Sequence, residues 1–205
     1  MATSGLGVEE ALTDSTVPEL SFAAAPSDWS PDGRFLLYTD LGEDNTLHLH
    51  VLPMVGDREA HRLLSGAYVD VQGQFSPDGC WVAYSSNESG KLQVYVAPFP
   101  GPGGNYQIST EGGQQPRWRR DGRELFFLSR DRKLMAVAVK TGSTFQFSAP
   151  TELFQTHAHE PIGAEEFFTY DVSADGQRFL INVDAEPTNP PPVDIILNWA
   201  SSLEK

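Results

Sequence analysis

The residues of this chain with the clearest chemical potential lie in two predicted loops. One loop contains the run His157-Ala158-His159-Glu160, and the other carries Arg130 and Arg132. Two histidines at i and i+2 beside a carboxylate could begin a divalent-metal site, but a third or fourth ligand would have to come from another loop. The run could also make a pH-sensitive polar contact or consist of plain loop residues. We predict a chain that holds neither a metal nor another cofactor.

The two arginines are unusual because the chain is acidic. Its 14 Lys and Arg residues are outnumbered by 28 Asp and Glu residues, which gives a net charge of −14. Arg130 and Arg132 could hold an acidic peptide or a carboxylated ligand, and they could equally pair with neighbouring carboxylates. The negative charge argues against a nucleic acid or an anionic membrane as a partner. The candidate ligand-binding residues are therefore Arg130, Arg132, His157, His159 and Glu160.

A turn that occurs four times predicts the framework that positions these loops. Its copies are Trp29–Gly33, Phe75–Gly79, Trp118–Gly122 and the weaker Val172–Gly176. Where Pro is present it presets the second turn position, while Asp bonds to a nearby backbone amide and Gly supplies the left-handed conformation. Successive Asp residues are 46, 43 and 54 residues apart, which is typical of propeller blades. The residues predicted to shape the turns are Asp32, Gly33, Asp78, Gly79, Asp121, Gly122, Asp175 and Gly176.

Each turn joins two predicted strands, and further strands follow, which we label A to D from the inside of each unit outwards. With 18 Gly, 15 Pro and no helical hydrophobic period, residues 1–205 are predicted to form a single all-β domain. The predicted fold is a β-propeller of about four blades, each a four-stranded antiparallel sheet. The blades span about 26–64, 70–109, 114–154 and 167–199, and an N-terminal strand at about 7–12 closes the last one.

The lengths of the connections predict which face binds a ligand. In a propeller the D-to-A and B-to-C loops emerge on one face, and the A-to-B and C-to-D loops emerge on the other. The longest D-to-A and B-to-C loops, at 155–166 and 184–193, fall on the same face and are adjacent in the ring. Loops on a rigid scaffold are where function concentrates. We therefore expect the ligand on the D-to-A and B-to-C face.

Two further expectations concern packing. His48 and His50 share one face of a predicted outer strand, and we expect that face to be solvated. The aromatic residues that precede three of the turns are expected to pack between neighbouring blades. These residues are Trp29, Phe75 and Trp118.

Several sequence blocks carry a resemblance to known proteins. They are Trp29–Tyr38, Phe75–Tyr84, Val94–Gly101 and Pro116–Gly122. These blocks resemble the TolB-type, WD-repeat-like β-propeller family. With 171–180 and Leu197-Asn198-Trp199, they are more closely similar to the C-terminal propellers of many bacterial serine/threonine protein kinases. The resemblance implies a propeller that acts as a sensor or docking module, although family members usually close with six blades or more.

The sequence contains no pattern that identifies an enzyme. It has no Gly-x-Ser-x-Gly elbow, phosphate loop, dinucleotide fingerprint or kinase motif. Sialidase-like repeats place a spacer between Asp and Gly, whereas Gly follows Asp directly here. We predict a non-catalytic scaffold that binds a protein or peptide. The alternatives are a partial propeller that assembles into a larger ring by strand exchange between copies, and a propeller glycoside hydrolase.

The sequence leaves the compartment open. Residues Met1–Gly5 have neither the basic segment nor the apolar run of a signal peptide, and no transmembrane span is apparent. We expect a cytoplasmic protein if the chain is complete. An extracytoplasmic location is expected if it is a fragment of a membrane-anchored kinase.

Overall fold

The computed structural model describes residues 25–101, 103–142, 144–159 and 167–183. Within these ranges the chain forms fifteen β-strands in antiparallel sheets. Among the same residues there is no helix long and apolar enough to cross a membrane. The prediction of an all-β propeller is confirmed.

The strands of blades 1 to 3 follow the predicted A-to-D order, and the described part of blade 4 contains its first two strands. Blade 1 contains β1 (Ala25–Trp29), β2 (Phe35–Leu41), β3 (Leu47–Pro53) and β4 (His61–Arg62). Blade 2 contains β5 (Asp70–Phe75), β6 (Trp81–Ser86), β7 (Gln93–Pro98) and β8 (Tyr106–Gln107). Blade 3 contains β9 (Gln114–Trp118), β10 (Glu124–Leu128), β11 (Lys133–Lys140), β12 (Gln146–Phe147) and β13 (Thr151–Gln155). Blade 4 contains β14 (Tyr170–Val172) and β15 (Phe179–Ile181).

The outer strand of blade 3 is divided into two parts. β12 pairs with one end of β11, where Val139 lies opposite Phe147, and β13 pairs with the other end, where Leu134 lies opposite Phe154. The D strand of this blade is therefore interrupted between residues 147 and 151. The N-terminal strand predicted at 7–12 and the outer strand predicted near 195–199 lie outside the described residues.

The four turns are held by short hydrogen bonds. A serine hydroxyl donates to the turn carboxylate at 2.6 Å in three of them, namely Ser30 to Asp32, Ser76 to Asp78 and Ser173 to Asp175. The glycines adopt φ between 69° and 73°, which is the left-handed region that glycine tolerates best. In the third turn Arg119 replaces the serine, lies 3.4 Å from Asp121 and donates to Glu124 at 2.8 Å.

One repeated pair of positions packs the blades against each other. The first position of the pair lies four residues before the turn glycine of a blade. Its partner lies four residues after the turn glycine of the preceding blade, and the two side chains share an apolar cluster. The pairs are Phe75 with Leu37, Trp118 with Ala83, and Val172 with Phe126. The expected packing of Phe75 and Trp118 is confirmed. For Trp29 it is wrong, since no described blade covers that side of blade 1 and 51% of the residue is exposed.

The expectation of a solvated histidine face is also wrong. Only 2% of His48 is exposed. Its Nδ1 lies 2.7 Å from Nη2 of Arg62, and its Nε2 lies 3.0 Å from both carboxylate oxygens of Asp44. His50 is half-buried beside the Tyr38 ring, and burial lowers its pKa. The β4 strand and the β2–β3 turn cover this face, which a reading of β3 alone does not reveal.

Candidate ligand-binding site

A polar side chain occupies the same position in all four A strands. Counted five residues before each turn glycine, this position holds Asp28, Gln74, Arg117 and Asp171. We call these four residues the polar arc. The A strands are the inner strands of the blades, because β1 neighbours β5 and β5 neighbours β9. The repeat therefore places four polar groups along the inside of the propeller.

Arg117 is the most constrained member of the polar arc. Its Nη1 donates to Oε1 of Gln74 at 3.0 Å, and its Cζ lies 3.8 Å from the centre of the Phe168 ring. Its Nε is 3.8 Å from an oxygen of Asp171, which is too long for a hydrogen bond. That Nε is buried and bonds to no described residue. The contacts with Gln74 and Phe168 thus fix the guanidinium in place, and its buried Nε is closed to solvent.

Asp28 contributes the acceptor at the blade 1 end of the polar arc. One of its oxygens accepts the backbone N–H of Phe75 at 2.7 Å, which ties blade 1 to blade 2. Burial raises the pKa of this carboxyl, and the bond from Phe75 and the charge of Arg117 oppose the rise. The carboxyl is therefore part of the frame rather than a freely solvated group.

A second position that repeats from blade to blade holds Gln72, Gln115 and Thr169. Buried side-chain amides at this position link blades 2, 3 and 4. Oε1 of Gln72 accepts the Gln115 N–H at 2.9 Å, and Oε1 of Gln115 accepts the Thr169 N–H at 2.6 Å. Both glutamines lie at strand irregularities with φ of 59° and 58°, a strained conformation for residues other than glycine. Their hydrogen bonds across the blades hold this strained backbone. The inner strands are consequently a rigid support for whatever binds above them.

A cleft of about 360 Å³ lies beside the polar arc on the A-to-B face. Its lining residues are Asp28, Trp29, Pro31, Gln74, Phe75, Pro77, Trp118 and Arg120. Phe75 and Trp118 are buried, whereas Trp29 and Arg120 are exposed. Among the described residues Arg120 has no carboxylate partner. The cleft therefore combines an accessible indole with an uncommitted cation.

The arginines predicted to bind a ligand lie on the opposite face. Arg130 and Arg132 are exposed in the turn between β10 and β11. The Arg132 carbonyl accepts the backbone N–H of Thr156 at 3.0 Å and its hydroxyl at 2.5 Å. The structure thus joins this turn to the start of the predicted histidine loop through the backbone.

The histidine loop is described only in part. His157 is exposed, and the His159 N–H donates to the Asn182 carbonyl at 2.8 Å. Glu160 lies outside the described residues. No group of three or more His, Cys, Asp or Glu side chains in the described ranges could hold a metal ion. A ligand-binding role for these loop residues stays a prediction.

The sequence analysis missed the polar arc and the buried amides. Aligning the four turns on their glycines would have shown that the position five residues earlier is polar in every copy. The cleft could not be found in that way. Its existence depends on the exposure of Trp29, and the repeat predicts that residue to be buried.

Comparisons with known proteins agree with the fold. The family model described as TolB beta propeller domain matches residues 11–193. The solved structure of TolB from Acinetobacter baumannii is 22% identical with a TM-score of 0.58, over 76% of this chain and 36% of that one. A putative TolB from Agrobacterium tumefaciens is 20% identical with a TM-score of 0.51, over 66% of this chain and 52% of that one. The matched part thus spans only a third to a half of each of those proteins.

Proposed function

This chain belongs to the TolB β-propeller domain family, and we propose that it is a non-catalytic module that binds a protein or peptide ligand. The proposed site is the cleft on the A-to-B face together with the polar arc beside it. One observation carries the proposal: the exposed Trp29 and Arg120, which pairs with no carboxylate among the described residues, border the same cleft, which has a buried aromatic floor.

The chemistry of the cleft suits an extended peptide. Trp and Arg are the side chains that most often dominate binding energy at protein interfaces, since both offer a large contact area with a polar end. The indole of Trp29 can cover an apolar or proline side chain, and Arg120 can pair with a carboxylate. Because the floor is rigid, little conformational entropy would be lost on binding.

The same lining supports a role without catalysis. Asp28 is the only carboxylate among the described residues of the cleft, and no Ser, Cys or His lines it. Glycoside hydrolysis in its usual form requires two carboxyl groups that flank the scissile bond. Nucleophilic catalysis would require a nucleophile beside a base. Neither pair is found in this cleft.

We infer that the module serves as a sensor or docking unit, because its sequence blocks resemble the C-terminal propellers of bacterial serine/threonine kinases. Its alternative binding surface is the predicted loop face with Arg130, Arg132, His157, His159 and Glu160.

A charge reversal on each face separates the two sites. Peptides would first be selected from a random dodecapeptide display library on the immobilised full chain. Their affinities for the chain would then be measured by fluorescence anisotropy. We expect Arg120→Glu to weaken the selected peptides at least tenfold, or about 1.4 kcal/mol. The matched controls Arg130→Glu and Arg132→Glu change the net charge equally on the opposite face and should leave the affinity within about twofold. Loss of affinity in the controls alone would move the site to the loop face, and failure to select any peptide would contradict the proposal.

A further inference from the structure

The repeated packing between blades has an open end at blade 4. The residue four after the turn glycine is almost completely buried in the first three blades, at Leu37, Ala83 and Phe126, with exposures of 0%, 0% and 1%. The corresponding residue of blade 4 is Leu180, and 79% of it is exposed. Leu180 also borders a depression of about 310 Å³ with Phe179 and Val172. Blade 4 therefore presents an apolar face that in every other blade is covered by the next blade.

Blade 1 has the complementary open face. The residue four before the turn glycine is 4% exposed at Phe75 and 8% exposed at Trp118, where a preceding blade covers it. Trp29 holds this position in blade 1 and is 51% exposed. The two faces are the separate halves of an interface that the same chain forms three times internally.

We infer that the Leu180 face of one copy of this chain binds the Trp29 face of a second copy, head to tail, and that this contact competes with the peptide proposed above, because both occupants use Trp29. The inference extends an interface already present between blades, rather than requiring a new kind of contact. Polar complementarity supports it as well. Between blades 2 and 3, the Trp118 indole N–H donates to the carbonyl of Gln74 at 3.1 Å. The equivalent groups at the open faces are the indole of Trp29 and the carbonyl of Asp171.

The geometry of such a contact favours a closed dimer. A head-to-tail interface uses two different surfaces, so each bound copy still presents one open face until the ring closes. Propellers commonly close with four to eight blades. Two copies of four blades reach the upper end of that range, and the expected mass is therefore twice 22.5 kDa, or about 45 kDa.

The test is a complementation experiment on the full chain, with mass measured by light scattering across a range of concentrations. Trp29→Asp and Leu180→Asp each damage one face, and because both side chains are exposed, the variants should fold. Alone, each variant should have the monomer mass, since every junction contains a damaged face. Mixed in equal amounts, they should regain about 45 kDa, because one junction then joins two undamaged faces. Val55→Asp is the matched control, as Val55 is 72% exposed in the turn that follows β3 and belongs to neither repeated packing position, and it should remain dimeric.

Two results would overturn the inference. A wild-type chain that stays monomeric at every concentration would show that the chain's own segments, or solvent, cover both faces. A mixture of the two variants that stays monomeric would show that any wild-type dimer uses other surfaces. Far-UV circular dichroism of each variant establishes that it is folded, and a monomeric wild-type mass overturns the inference even if a variant fails to fold.

Discussion

The seam between blades 2 and 3 and the seam between blades 1 and 2 use equivalent positions with different chemistry. Groups that do not titrate near neutral pH join blades 2 and 3. Gln72 accepts from Ser85 of its own blade at 2.8 Å and from the Gln115 backbone of blade 3. Trp118 donates to the Gln74 carbonyl, and Arg117 donates to the Gln74 side chain. Around these bonds lies one continuous apolar cluster that includes Trp81 and Phe145.

Ionisable groups are concentrated in the other seam. Asp70 of blade 2 is 3% exposed and lies within the electrostatic influence of His48 and Arg62 of blade 1. Burial raises its pKa to about 6, against the opposing effects of the Ser86 hydrogen bond and of the nearby His48 and Arg62. Asp28 is a further, half-buried carboxyl of this seam. Within one fold, two blades are therefore joined by groups whose interactions do not change near neutral pH, and two others by groups whose interactions do.

The largest expected effect is on the seam between blades 2 and 3. Trp118→Ala should lower the free energy of unfolding by about 3–5 kcal/mol, since it removes a buried aromatic side chain and leaves a cavity. Urea unfolding followed by circular dichroism measures the change. Phe167→Ala is the matched control, because Phe167 is 58% exposed and should cost about 1 kcal/mol or less. Equal losses in both variants would refute the packing described for this seam.

The next effect concerns Asp70 and its dependence on pH. The folded protein holds the proton of Asp70 more tightly than the unfolded chain, whose carboxyl has its ordinary pKa near 4. The free energy of unfolding contributed by this group should therefore rise as pH falls through about 6. Asp70→Asn should stabilise the protein at pH 8 by at most about 3 kcal/mol and have little effect below about pH 4. A benefit that is the same at both pH values would contradict this assignment.

A smaller and pH-independent loss is expected at Gln115. Gln115→Leu removes the acceptor of the buried Thr169 N–H, which should cost about 1–3 kcal/mol. The loss should be constant between pH 5 and pH 8, because no member of this group titrates in that range. Gln114→Leu tests the specificity, since the Gln114 side chain bonds to no described residue. Urea unfolding at the two pH values distinguishes this seam from the one that contains Asp70.

The smallest effect is spectroscopic. Arg62 can only donate to Nδ1 of His48, so that nitrogen must be unprotonated and Nε2–H must donate to Asp44. Nitrogen-15 NMR at neutral pH should show the Nε2–H tautomer for His48. Observation of the Nδ1–H tautomer would mean that Arg62 does not bond to this ring in solution.

Much of the fold was predictable from local sequence. The four turns depend on Ser, Asp and Gly acting within a few residues of one another, and their spacing sets the blade length. The polar arc was predictable in principle because it repeats with the turns. The pairing of Gln72 with Gln115 was not, since these residues are 43 positions apart and meet only after two blades have packed.

The sequence by itself determined the repeating unit of this protein: the turns, the strands that flank them and the alternation of apolar and polar side chains. These features arise from short-range geometry, which neighbouring residues specify. Only the tertiary structure decided that His48 is buried, that Asp70 lies near His48 and Arg62, and that Trp29 and Leu180 are exposed. Those properties depend on which blade lies next to which, because burial and electrostatic environment are set by residues distant in the chain.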